Sequence, residues 1–367
     1  MTNIFVIKNR LNNFKKKINV SGDKSLSIRW VLLASLANGI SKSSNLLISE
    51  DVLAAIEAIK KLGIKVKLKK QQCKIYGKGL NGYNYKKNII INAKNSGTLA
   101  RLIPGLLINS PYKIKIIGDA SLSKRDFKRI AEPLNKFGAN FQLTKNRGLP
   151  MYITGTDKLN AISYFENKGS AQCKSSVILA GLRTDGKTFI KAKKSRNHTE
   201  LLCKYLKLPI KVFEKKNYDL IEVKKVNQID KFNYEIPSDI SSSAFFIVLT
   251  TLSNDSSLLI KNVNINPSRT GVITILKKMG VKIIFKNQKI YKGEKIADIF
   301  VQSSKKLKSI NCPTKLNSGA IDEFLVIFLV AAKASGVSNF KDIGELNQKE
   351  SPRLKWGAKI LNKMGIK

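Results

Sequence analysis

The chain of 367 residues has a single histidine, His198, and its four cysteines, Cys73, Cys173, Cys203 and Cys312, show no metal-ligand spacing. That inventory argues against a zinc or iron site. Cysteines so far apart in sequence suit reduced cytoplasmic thiols better than a disulfide framework. Long apolar runs are missing too. The longest, residues 324–332, is far short of the roughly 18 residues that span a bilayer, and no charged leader with an apolar stretch opens the chain. A soluble cytoplasmic protein with no membrane partner is expected. Acids are scarce, with 25 Asp and Glu against 67 Lys and Arg, for a net charge of +42. Such a charge ordinarily suggests nucleic acid, yet only ten of the bases are arginine and the lysines lie scattered, with no arginine-rich or aromatic-studded block. No specific nucleic-acid partner is expected. Six of the ten arginines, Arg29, Arg101, Arg125, Arg196, Arg269 and Arg353, fall inside short polar motifs. Arginine offers a rigid fork to a carboxylate or phosphate, so these are candidates for an anion site.

What is present is repetition. Polar entries precede apolar helical runs at Ser21-Gly22-Asp23, Asn95-Ser96-Gly97, Gly169-Ser170-Ala171, Asp239-Ile240-Ser241 and Asn317-Ser318-Gly319, some seventy to eighty residues apart. A second series marks helix ends, at residues 58–64, 133–139, 204–210, 275–281 and 360–366. Four of the five carry Gly where a left-handed residue closes the helix, and an alternating strand, Val66-Lys67-Leu68-Lys69, follows the first. Five copies of one unit predict an internally repeated α/β protein, long enough at about 150 residues per domain for two cores. The first entry, residues 20–29, predicts a helix running to Ala37. Its first-turn N–H groups and positive dipole end lie beside Lys24, Ser25 and Arg29, which predicts an anion site there. The alternative is a surface helix capped by Asp23.

Read in order, Ser21-Gly22-Asp23-Lys24-Ser25, Asn95-Ser96-Gly97-Thr98 with Arg101, residues 118–125, Ser170-Ala171-Gln172-Cys173-Lys174-Ser175, Ser195-Arg196-Asn197-His198-Thr199-Glu200, residues 266–271, Ile321-Asp322-Glu323 and Lys349-Glu350-Ser351 with Arg353 closely resemble the 5-enolpyruvylshikimate-3-phosphate synthase family. The wording of residues 118–122 and 170–175 is closer to the second, CP4-like class. The resemblance spans nearly the whole chain. It implies an α/β (α+β) fold of two domains built from repeated βαβαββ-type units, three per domain, with helix N-termini facing the cleft between them. Residues 21–236 would form one domain, and residues 1–20 with 237–367 the other. Five units leave such an architecture one short, so the chain is expected to be truncated, without a sixth unit, and poorly soluble or partly folded in isolation.

The family moves the enolpyruvyl group of phosphoenolpyruvate to the 5-hydroxyl of shikimate 3-phosphate and releases phosphate, in the shikimate pathway to chorismate and the aromatic amino acids. The resemblance implies no metal, no cofactor and a monomer. It implies that Lys24, Ser25, Arg29, Ser170, Gln172, Arg196, Asp322 and Lys349 bind shikimate 3-phosphate, and that Lys24, Asn95, Gly97, Arg125, Gln172 and Arg353 bind phosphoenolpyruvate. Asp322 would take the 5-hydroxyl proton, and Glu350 with Lys24 would serve the methylene carbon, since addition to an enol ether needs an acid at carbon and a base at oxygen. Asp322 is also read as a plain acid opening an apolar helix, His198 as a loop residue with no catalytic role, Arg269 as structural, and residues 244–252 and 324–332 as core. The chain departs from the pattern at Asp126 in place of Pro, Pro352 in place of Asp and Asn347 in place of Arg, and it lacks an Asp-His-Arg-Ile-Ala-Met segment. The rival readings are UDP-N-acetylglucosamine enolpyruvyl transferase, against which the Gly-Asp-Lys-Ser opening speaks, and an inactive remnant that binds anions or RNA.

Overall fold

A polar entry starts a helix because its side-chain oxygen takes over a first-turn N–H that has no intrahelical partner. In the computed structural model, which describes residues 12–348 and 351–366, Asp23 accepts from Leu26 N at 2.9 Å and opens α1, Lys24–Ser35. The predicted extension to Ala37 is not helical. Its companion α2, Glu50–Lys61, carries Glu50 and Asp51 in the first turn and Lys60 and Lys61 in the last, the order the helix dipole favours. The pairing recurs in α3 (Gly97–Leu106, capped by Ser96) with the short α4 (Ala120–Ser123, capped by Asp119) and α5 (Lys128–Asn135). It recurs again in α6 (Ala171–Gly181, capped by Ser170) with α7 (His198–Tyr205), and in α8 (Ile240–Leu252) with α9 (Gly271–Lys278). The last group is α10 (Asn317–Ala320), α11 (Phe324–Lys333) and α12 (Arg353–Lys363). Helix ends fall where the sequence placed them. Gly63, Gly138, Gly280 and Gly365 have φ between +79° and +104°, and Lys207 takes the same left-handed role at φ 56° in the third copy.

Each of the four sheets found among the described residues has four strands in one pattern, a parallel pair at one side and antiparallel neighbours beyond it. Ile89–Asn92 runs parallel to Ile114–Ile117, which pairs antiparallel with Met151–Thr154 and through it with Asn140–Gln142. Ser163–Glu166, Lys187–Lys193, Tyr218–Lys224 and Ile210–Glu214 repeat the order. In the sheet of Asn38–Ser44, Gln72–Lys78 and Lys65–Lys69, the parallel strand is Asn233–Glu235, from the far end of the same stretch of chain. Alternation sets which face is buried. In Lys187–Lys193, Thr188, Ile190 and Ala192 point inward and Lys187, Phe189, Lys191 and Lys193 outward.

The chain separates into two compact units. The larger comprises Ser21–Asp239 and a short return, Ile290–Lys295; the smaller holds residues 12–20, Ile240–Lys289 and the described residues from Ile296 onward. The larger unit contains α1 to α7, three sheets and a core running from Leu26 to Ile236. In the smaller unit Lys15–Ile18 pairs parallel with Ser257–Asn264, which pairs antiparallel with Glu294–Gln302, the second strand of a long hairpin begun by Lys282–Tyr291. Its own core is built on α8, α9 and α11. The fifth helix group has no named sheet among the described residues, only isolated bridges Lys308↔Ser335 and Asn311↔Asn339.

Two apolar runs expected as core are only partly so. On α8, Phe245, Phe246 and Leu249 are exposed while Ala244, Ile247 and Val248 are buried, and on α11 the buried set is Phe324, Val326, Ile327 and Val330. A helix buries only the stripe that meets its neighbours, and a continuous apolar run has more than one stripe.

Candidate active site

In the larger unit the N-terminal halves of α1, α6 and α7 assemble the first group. Arg29 is buried, and its guanidinium is held on three sides. Nε donates to Thr199 Oγ1 at 2.7 Å, Nη2 to Ser175 Oγ at 3.1 Å and Nη1 to the Ser25 carbonyl at 3.0 Å. Thr199 and Ser175 are themselves 2.6 Å apart. Burial pushes the Arg29 pKa down from 12.5 to about 10, with Glu200, Asp23 and Glu294 pulling upward and Arg196 adding to the fall. On α6 the fully buried Lys174 lies 2.7 Å from Glu200 Oε1 of α7.

Lys24 is the first residue of α1, and its half-exposed ammonium lies 3.7 Å from Asp51 Oδ2. Its backbone N–H donates to Asp239 Oδ2 at 3.1 Å, and Leu26 N to Asp23. Carboxylates therefore occupy two of the first-turn amides predicted to receive an anion. Gly22 is fixed by close approach, since a Cβ would lie 2.0 Å from the Asn45 carbonyl oxygen.

The second group of the larger unit surrounds the start of α3. Asn95 donates to Asp119 Oδ2 at 2.6 Å and accepts from Arg125 Nη2 at 3.4 Å. Gln172 joins this group to α6, accepting from Arg101 Nη1 at 2.7 Å and donating to Thr98 Oγ1 at 2.9 Å. Gly97 lies against both guanidinium groups; an added Cβ would be 2.9 Å from Arg101 Nη1 and 3.0 Å from Arg125 Nη1. Ser170, another predicted ligand, caps α6 through Cys173 N at 3.3 Å, and its own N–H donates to the buried Glu166 at 2.8 Å. Asp126 caps locally, accepting from Lys128 N at 2.8 Å.

In the smaller unit Arg353 and Asp322 form a pair, Nη1 to Oδ1 at 3.2 Å, with both side chains about a quarter exposed. Asp322 does not open a helix as expected. It stands in the turn before α11, and the buried Glu323 takes the position next to the first helical residue. Pro352, with no N–H to give and no side-chain oxygen, precedes Arg353 at the start of α12. Asn347 supplies the missing cap, its Oδ1 accepting from Leu354 N at 3.0 Å and Lys355 N at 3.3 Å. Lys349 and Glu350 lie outside the described residues. Arg269 is buried and donates to Ser241 at 2.7 Å, and Ser241 in turn reaches Glu323.

Several of these residues were given no role by the motifs that contain them. Thr199 and Ser175 are ordinary hydroxyls until the fold brings them to Arg29. His198, read as a loop residue, is the buried first residue of α7, with Nδ1 2.7 Å from Glu294 Oε1. Glu294 could have been noticed, since it is the sole acid between Asp255 and Asp298 in a lysine-rich stretch.

The model of the family described as EPSP synthase (3-phosphoshikimate 1-carboxyvinyltransferase) matches residues 8–367. The chain is 41% identical over 364 residues to the 3-phosphoshikimate 1-carboxyvinyltransferase of Ruthia magnifica subsp. Calyptogena magnifica, covering 99% of this chain and 82% of that one. The protein of the same description from Thermoanaerobacter sp. (strain X514) is 39% identical, covering 96% and 82%. Among solved structures, EPSP synthase from Acinetobacter baumannii superposes with a TM-score of 0.85 at 37% identity, over 95% of this chain and 78% of that one. The enolpyruvyl transferase NikO from Streptomyces tendae, at 13% identity and a TM-score of 0.67 over 89% and 74%, shares the fold.

Proposed function

This chain belongs to the EPSP synthase (3-phosphoshikimate 1-carboxyvinyltransferase) family, and we propose that its two clusters of cations and polar groups in the larger unit bind shikimate 3-phosphate and phosphoenolpyruvate. The reaction transfers the enolpyruvyl group to the 5-hydroxyl of shikimate 3-phosphate and releases phosphate. The carrying observation is Arg29, whose guanidinium is buried, held by Thr199, Ser175 and the Ser25 carbonyl, and within the field of Arg196. A hydrophobic core has no use for a buried guanidinium whose N–H groups are aimed by two hydroxyls and a carbonyl, whereas a phosphate ester does.

In this reading Lys24, Ser25, Arg29, Ser170, Gln172 and Arg196 take shikimate 3-phosphate. Asn95, Gly97, Arg125 and Gln172 take phosphoenolpyruvate with Lys24, and Gly97 keeps the space beside two guanidinium groups open. Arg353 holds an anionic group of phosphoenolpyruvate, and Asp322 takes the 5-hydroxyl proton. Their mutual pairing gives each a place before substrate arrives, and an anion competing for the guanidinium would release the carboxylate to act as base. Lys349 is assigned to shikimate 3-phosphate, and Glu350 to the methylene proton with Lys24, on the family pattern alone. The wording of residues 118–122 and 170–175 supports the CP4-like class, and four buried free thiols suit a reducing cytoplasm. We take the active form to be a monomer.

The test is turnover. Purified chain given both substrates should release phosphate in step with formation of the enolpyruvyl ether, seen by mass spectrometry. Phosphate release without the ether, or neither, would overturn the assignment.

A further inference from the structure

We propose that Glu294, at the tip of the long hairpin, is a positioning residue for shikimate 3-phosphate. It would act through His198 to fix the segment that carries Arg196 and Thr199. This inference rests on the assignment of Arg29 and Arg196 to that substrate.

The tip is built to dock on α7. Lys292 and Gly293 both have positive φ, 48° and 87°, as a two-residue hairpin turn requires. Gly293 lies so close to α7 that a Cβ would be 2.7 Å from the Leu201 carbonyl oxygen. Lys292 Nζ sits 5.7 Å from the ring centres of Tyr205 and Tyr234 and 5.3 Å from that of Tyr291, and it reaches the Asn233 carbonyl. Tyr291 Oη accepts from Glu235 N at 3.1 Å. These contacts bring Glu294 Oε1 to 2.7 Å from His198 Nδ1, with both side chains 1% exposed.

A carboxylate accepts, so Nδ1 donates, and the ring orientation is set by the bond. His198 opens α7. Arg196 precedes it by two residues and Thr199 follows it directly. A rotation of that first turn would move Thr199 Oγ1 away from Arg29 Nε, now at 2.7 Å, and would displace Arg196 on the other side. One bond thus orders two cations of the same binding group. A carboxylate buried to 1% exposure is a costly choice unless it is paired and hydrogen-bonded, and His198 supplies that partner.

The test compares Glu294→Leu, which removes the acceptor at similar volume, with Glu294→Gln, which keeps an oxygen facing Nδ1. Calorimetric titration with shikimate 3-phosphate alone should show affinity falling tenfold or more in Glu294→Leu and by less in Glu294→Gln. At saturating shikimate 3-phosphate, the KM for phosphoenolpyruvate should stay within twofold of wild type in both. In Glu294→Leu/Thr199→Val, the loss should be smaller than the product of the single losses, because both act through one turn. Unchanged affinity in a folded Glu294→Leu, or equal weakening of both substrates, would overturn the proposal. Should Glu294→Leu fail to fold, Glu294→Gln decides, with a raised Kd supporting and a wild-type Kd refuting it. Wild type that does not bind shikimate 3-phosphate would overturn the underlying assignment first, and this inference with it.

Discussion

Replacing Thr199 by valine keeps the shape of a buried side chain and deletes its oxygen. Arg29 Nε then loses an acceptor at 2.7 Å and Ser175 loses a partner at 2.6 Å. Burial has already drawn the Arg29 pKa to about 10. The group nevertheless remains charged at pH 7 in either protein, so what changes is how it is held. A hydrogen bond to a charged group contributes about 1.5–3 kcal/mol. For a unit of this size each kcal/mol moves the midpoint by about 2–4 °C, so about 2 kcal/mol lowers the melt of the larger unit by about 4–8 °C. Shikimate 3-phosphate should bind roughly tenfold more weakly, and Thr199→Ser should restore both quantities. Scanning calorimetry and ligand titration on the three proteins read the two effects separately. A Thr199→Val protein with wild-type melting and wild-type affinity would refute the role of the clamp.

Other predictions follow from single contacts. Gly97→Ala adds a Cβ against the flexible ends of Arg101 and Arg125. Its melt should therefore stay within about 1 kcal/mol of wild type, the scale of a Gly-to-Ala change in a helix, while the KM for phosphoenolpyruvate rises and the affinity for shikimate 3-phosphate holds; an unmoved KM would count against the placement. Asn347→Ala uncaps α12 at a cost of about 1 kcal/mol, and hydrogen exchange at Leu354 and Lys355 should quicken first. Asp298, although burial raises its pKa, is held below its usual value by Lys261, the Asn262 N–H and Asn287. Its contribution is therefore full above the unfolded pKa of about 3.9 and fades as pH falls through the lower folded value. The melting gap between wild type and Asp298→Asn should be widest near neutrality and close as pH falls below about 4.

The repeat was legible because its punctuation is local. An Asp or Ser at a helix start and a glycine at a left-handed helix end act within a few residues, and Asp23, Ser96, Ser170, Gly63, Gly138, Gly280 and Gly365 all appear where the sequence placed them. The candidate site was legible in its cations for a related reason, since arginines inside capped entries stand out against scattered lysine. What holds those cations was not. Thr199 meets Arg29 across 170 positions of chain, and Glu294 meets His198 across 96; hydroxyls and single acids carry no pattern that announces so distant a partner. Nor could the sequence show that a first-turn amide of α1 would donate to Asp239, which arrives from the other end of the larger unit. Asn347 illustrates substitution of function. Where the family pattern has arginine, a short amide caps the helix that Pro352 cannot.

The measurement closest to the central claim is calorimetric titration of the purified chain with shikimate 3-phosphate and with shikimate, repeated on Arg196→Gln. Paired guanidinium groups should make the 3-phosphate decisive, so the phosphorylated ligand binds and shikimate does not. Loss of a charge-assisted contact worth about 1.5–3 kcal/mol should weaken Arg196→Gln by about tenfold or more. Equal binding of the two ligands, or an Arg196→Gln protein indistinguishable from wild type, would contradict the assignment of this arginine pair to the phosphate.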